Sequence, residues 1–138
     1  MKDLTFILEL KELFMKLRLR ENSIRLRLLQ SEIAKLTEFG EVTEKITFGL
    51  SQTLSYSVKF SAQHSDISAE FNASQITIFI PLETAKNWIE TNLVGLEKEQ
   101  NIDDVKSLKI LIEKDFVCVD RPMDADNLDA FPHPKMKF

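Results

Sequence analysis

Little in this 138-residue chain is of the kind that usually carries chemistry, and each shortage excludes something. A single cysteine, Cys118, leaves no partner for an internal disulfide and rules out any zinc motif built from cysteine pairs. The only glycines, Gly40, Gly49 and Gly95, are far apart, so no glycine-rich loop can cradle a phosphate. Of the two histidines, His64 falls in a polar loop and His133 between two prolines, and neither stands in a Ser/His/Asp or Cys/His arrangement. Trp88, the one tryptophan, falls on the apolar stripe of a helix and reads as a core anchor. No apolar run reaches membrane-spanning length: Leu4–Leu8 is too short even for a signal sequence, and Glu9 and Glu12 follow at once. The cytoplasm is therefore the expected compartment. A formal net charge of −4 excludes a surface coated for general nucleic-acid binding. The tail carboxylates Asp120, Asp124, Asp126 and Asp129 lack the glycine and the closing glutamate of a calcium loop. Thus no catalytic residue, metal ligand or cofactor is expected.

The most informative stretch is KLRLRENSIRLRLL, Lys16 to Leu29. Apolar and basic residues alternate on both sides of Glu21-Asn22, the period of a half-buried strand, but the parity flips at the centre. Leu17 and Leu19 are odd, whereas Ile24, Leu26 and Leu28 are even. A continuous strand would put half of these in water, so the pattern predicts a tight hairpin at Glu21-Asn22, with Asn22 suited to positive φ. Leu19 then faces Ile24 and Leu17 faces Leu26. On the opposite side Arg18 meets Arg25 and Lys16 meets Arg27. Like charges across a strand pair destabilise it, so Lys16, Arg18, Arg25 and Arg27 require an acidic partner. Glu113 and Asp115 on a late strand, or Asp124, Asp126 and Asp129 in the tail, could supply it from within. Otherwise the face is a candidate site for an anionic ligand or partner.

The remainder reads as short strands and two short helices. Ser31 is expected to cap a helix with Glu32 in its first turn and Ile33, Leu36 and Phe39 on its inner face, closed by Gly40. SEIAKL has the look of a helix-turn-helix opening, but Val42 to Phe48 alternates as a strand, so no recognition helix follows and sequence-specific DNA binding is not expected. Strands follow around Val42–Phe48, Leu54–Phe60, Ile67–Phe71 and Ile76–Ile80. The last two close as a hairpin pairing Phe71 with Ile76, Ala69 with Ile78 and Ile67 with Ile80. Pro81 opens a helix striped by Leu82, Ala85, Trp88 and Ile89, which Asn92 can end. Val94–Glu99 is a short edge strand, Ile102–Lys106 a polar connection, and Leu108–Val119 a strongly apolar strand in which Cys118 reads as a buried thiol.

Three stretches in order, NSIRLRLLQSE, ITIFIPLETAKNWIETNLVG and LKILIEKDFVC followed by an acidic tail, resemble a family of short bacterial proteins of unknown function. The resemblance covers about residues 15 to 132. It implies a fold unit and no activity. Members of that family begin near the position of Met15, which marks residues 1–14, with their stripe Phe6, Leu10, Leu13 and Phe14, as an extension. The Pro-His-Pro ending departs from the family's pattern and argues against a role for His133.

The expected architecture is α+β: a curled, mostly antiparallel sheet of six or seven strands with two short helices. Residues 15–120 form the single domain, and 121–138 an acidic, proline-containing tail. The expected function is a non-enzymatic binding or regulatory module, acting through the basic hairpin face or by self-association. The alternative is a small enzyme or ligand-binding protein with a pocket between the sheet and the Pro81 helix.

Overall fold

The computed structural model describes residues 15–115. Expectations for the first fourteen residues, for Cys118 and for the tail lie outside them. Eight strands and two helices follow in the order β1 (Lys16–Arg20), β2 (Ser23–Leu28), α1 (Gln30–Phe39), β3 (Glu41–Gly49), β4 (Gln52–Ser61), β5 (Ser68–Asn72), β6 (Gln75–Pro81), α2 (Leu82–Glu90), β7 (Gly95–Asn101) and β8 (Ser107–Lys114).

Instead of one sheet of six or seven strands there are two mixed sheets of four, ordered β1-β2-β8-β7 and β3-β4-β6-β5. Each consists of two antiparallel hairpins joined side by side through their second strands, β2 to β8 and β4 to β6, which run parallel. Sequence periodicity marks each hairpin, because a hairpin closes locally. It is silent about the parallel joints, which bring together strands separated by one intervening strand or by the entire second sheet. The α+β class and the antiparallel majority hold.

The hairpin registers follow the parity argument. Leu17 pairs with Leu26 and Leu19 with Ile24, Lys16 with Arg27 and Arg18 with Arg25. Phe71 pairs with Ile76 and Ala69 with Ile78. One detail differs: positive φ falls on Glu21 (53°), not on Asn22. Asn22 instead donates its side-chain amide to the Ser107 carbonyl at 2.6 Å, tying the hairpin tip to the start of β8.

Ile24, Leu26, Leu28, Ile110 and Ile112 of the first sheet join Val42, Tyr56, Val58, Ile76, Ile78 and Ile80 of the second in one buried cluster with Met15, Leu36, Ala85 and Trp88. On one side the sheets are stitched edge to edge. The Gln100 side chain of β7 accepts the Ala69 N–H at 2.7 Å and donates to the Ala69 carbonyl at 3.1 Å, and Lys98 reaches Asp66 at 2.6 Å. Helix α2 packs on β4 and β6 and buries Ala85 and Trp88, while Leu82 stays exposed. Trp88 fills the joint between sheet and helix, where a pocket was the alternative expectation, and its Nε1–H donates to the Val94 carbonyl at 3.1 Å.

Helix α1 is rotated from the expected face. Glu32 and Leu36 are its buried residues, Ile33 is half-buried and Phe39 is exposed. The helix starts two residues early, with Leu29 as its N-cap, and Ser31 is not a cap, since its Oγ is buried without a partner. Gly40 ends the helix at φ 78°, as expected.

Candidate functional site

Three places in the described residues gather polar or exposed groups: the outer face of the first sheet, the buried acids beneath α1, and the far end of the second sheet.

The outer face of the first sheet holds the predicted basic set. Lys16, Arg18 and Arg20 of β1 stand beside Arg25 and Arg27 of β2, and the parallel neighbour β8 places Glu113 opposite Arg27. Glu113 Oε1 accepts from Arg25 Nε at 2.7 Å and lies 3.5 Å from Arg27 Nε, while Asp115 meets Lys16 at 2.8 Å. The acidic partner the hairpin requires thus comes from the late strand. Gly95, across from Glu113 on β7, makes room for this: a Cβ there would lie 2.9 Å from the Glu113 Cγ and from the Ile112 carbonyl. We expect a double-mutant cycle on Arg25→Ala and Glu113→Ala to give a coupling of about 0.5–1 kcal/mol, since both groups keep some contact with water. Chemical denaturation with urea at low and high salt checks this; the coupling should shrink in 1 M NaCl, on the order of the screening expected at that strength.

Beneath α1 lies a group that sequence reasoning placed in the helix's first turn without assigning it to the core. Glu32 is fully buried. Its Oε1 accepts the N–H of Leu29 at 2.8 Å, half of a capping box, and Oε2 has no partner. Burial raises its pKa to about 7; the Leu29 N–H and Lys35 oppose this, and Glu44 and Asp115 reinforce it. Glu44 is also raised by burial, against Lys35 and the N–H of Met15. Tyr56 is raised by burial and by both glutamates, and donates its hydroxyl to the Met15 carbonyl at 2.8 Å. The backbone of Met15 is therefore held by Glu44 and Tyr56 together. Residue spacing carried one available signal: Glu32 and Leu36 are four apart and share a face, so a helix buried at Leu36 also turns Glu32 inward. Among the described residues, no three of His, Cys, Asp and Glu converge to hold a metal ion.

A serine–histidine pair was also not foreseen. Ser61 Oγ and His64 Nδ1 are 2.6 Å apart, and the imidazole stacks on Phe79 at 4.2 Å between centroids. Ser61 Oγ also accepts the Gln63 N–H, so the contact closes a local turn. The adjacent acid, Asp66, is directed elsewhere, accepting from its neighbour Ile67 N–H and from Lys98. A nucleophile needs its base oriented by a third group, and the acid at hand does not do so.

The third place is the inner face of the second sheet, whose registers align its side chains in rows. Val42, Val58, Ile78 and Ala69 form one row, Glu44, Tyr56, Ile76 and Phe71 the next, and Ile46 with Leu54 the last. Helix α1 reaches the Glu44 row, where Glu32 and Lys35 act on Glu44. Toward its open end the sheet carries apolar side chains in water: Phe71, in the Glu44 row but on the edge strand farthest from β3, is 72% exposed, Ile46 in the last row 41% and Phe48 71%, with Leu50 at the hairpin tip 97% exposed.

Residues 15–135 match a protein family described only as a family of unknown function (DUF7009). The chain belongs to this family. The matched span begins at the fully buried Met15 and includes every described strand and helix. No curated protein matches the chain. Membership thus adds no activity. Among the described residues no helix is long and apolar enough to cross a membrane.

Proposed function

We propose that this DUF7009 member is a small non-enzymatic binding module, and that it works by protein–protein contact through the open end of its second sheet. One observation carries the reading: Ile46 and Phe71 continue the apolar inner face where it stands in water, and Phe48, in the irregularity just beyond Ile46, is exposed as well. Isolated exposed apolar side chains are ordinary, but aromatic and branched residues grouped on one face mark interaction surfaces. Against an enzyme stand the filled joint at Trp88 and the lack of an orienting acid at His64. An apolar reporter dye, ANS, tests the surface on the full chain. The parent should enhance its fluorescence, and Phe48→Ser with Phe71→Ser should abolish most of that enhancement. The melting temperature should move little, because both side chains are already largely in water. Undiminished dye binding in the double variant would overturn the reading.

A second reading keeps the basic face. Lys16, Arg18, Arg20, Arg25 and Arg27 stand on one side of the β1–β2 hairpin, where Asp115 pairs with Lys16 and Glu113 with Arg25 and Arg27, and Arg18 and Arg20 have partners too. On this reading the face takes an anionic partner, and Arg25→Ala with Arg27→Ala should lose retention on immobilised heparin. The internal ion pairs favour the first reading, because they give the same residues a purpose within the fold.

A further inference from the structure

We infer that the partner at the open end of the second sheet is a second copy of the chain, paired through the edge of β3 that no described strand covers; this rests on the reading just given. Gly40 and Phe60 are opposite each other, and the Phe60 N–H donates to the Gly40 carbonyl at 2.9 Å. In an antiparallel ladder hydrogen-bonded pairs recur at every second residue. Val42, Glu44 and Ile46 therefore bond inward to β4, and Thr43, Lys45 and Thr47 turn their N–H and C=O groups to the open edge. From Lys45 to Gly49 every residue of this edge is exposed. A long exposed edge with apolar side chains is a template for another strand. The opposite edge of the same sheet, β5, is instead covered at Ala69 by Gln100.

Charge selects the register. A two-fold pairing centred on Lys45 sets lysine against lysine, and one centred on Glu44 sets glutamate against glutamate. Centring on Thr47 carries the pairing into the irregularity between Thr47 and Gly49. Centring on Ile46 places Ile46 against Ile46 and Lys45 against Thr47, with no like-charge pair and with its central pairs short of that irregularity. It also matches hydrogen bonding, since Lys45 and Thr47 both present their backbone groups outward. The product is an isologous dimer with a continuous eight-stranded sheet, in which the two apolar ends lie side by side.

Sedimentation equilibrium of the full chain, from micromolar to millimolar, tests this. The parent should pass from one chain to two. Ile46→Glu and Ile46→Lys, each at an exposed position, should keep the fold by circular dichroism and stay monomeric alone. Mixed in equal amounts they should regain the dimer, because residue 46 faces its own copy. Thr47→Pro removes an outward N–H without touching the ladder to β4, and should also give a monomer. A parent that stays monomeric at millimolar concentration, variants that dimerise like the parent, or a mixture that fails to restore the dimer would each overturn the inference. A monomeric parent whose ANS binding still depends on Phe48 and Phe71 overturns only the self-pairing; loss of both results removes the surface as well.

Discussion

Trp88→Ala should remove about 3–5 kcal/mol of stability, the range for truncating a fully buried aromatic side chain. Trp88 has no measurable exposure, and its indole N–H holds the Val94 carbonyl just before β7 begins. Its loss opens a cavity between α2 and the second sheet and frees the entry to an edge strand of the first. Against a typical total of about 5–15 kcal/mol, such a loss brings the domain close to unfolding. Differential scanning calorimetry checks it, with Trp88→Phe as the companion variant. The phenylalanine keeps most of the volume and lacks the donor, so it should cost far less. Equal stability of parent and alanine variant would contradict the described packing.

Glu32→Gln should stabilise the protein above neutral pH and leave it nearly unchanged in mild acid. The folded-state pKa of about 7 stands above the ordinary carboxyl value of 4.5 because burial disfavours the carboxylate. Between those values the folded state holds a proton that the unfolded chain has released. This group's contribution is therefore fully present below about 4.5 and is lost as pH rises through about 7. The interval corresponds to roughly 3 kcal/mol at 1.36 kcal/mol per unit. Glutamine resembles the protonated acid, can still accept the Leu29 N–H, and carries no charge to strand. Urea midpoints for parent and variant, measured across about pH 5 to 9, should diverge from about pH 5 to about 7 and hold a constant separation above it. Glu44 and Tyr56 also face this group, and Glu44 is raised in the same direction, so a shallower slope of the same sign should remain in the variant. Parallel curves for the two proteins would show that Glu32 does not titrate in the folded state near pH 7.

What could be foreseen follows the range of the interactions. The β1–β2 and β5–β6 registers were legible because parity and a two-residue turn determine them locally. The helix from Pro81 and its Trp88 anchor were legible from spacing. The division into two sheets was not, because it depends on β2 meeting β8 after the second sheet has been inserted between them. The demand of the basic hairpin for acid was readable, and Glu113 and Asp115 were among the groups proposed to meet it. Glu32 does lie in the first turn, but its burial was not foreseen, because a glutamate there ordinarily faces water; only the rotation of α1 about Leu36 buries it. The open end was hidden for a similar reason. Ile46, Phe48 and Phe71 belong to patterns that predict burial, and their exposure depends on where α1 and α2 lie.

Oxidative footprinting tests the central claim most directly. Full-length protein, dilute enough to be a single chain, is exposed to hydroxyl radicals in buffer and in concentrated extract of the cells that make it. If the module works through its open end, Phe48, Leu50 and Phe71 should be oxidised more slowly in extract, while Val105, 92% exposed in the turn between β7 and β8, should react equally in both. Unchanged oxidation at Phe48 and Phe71 would contradict the account.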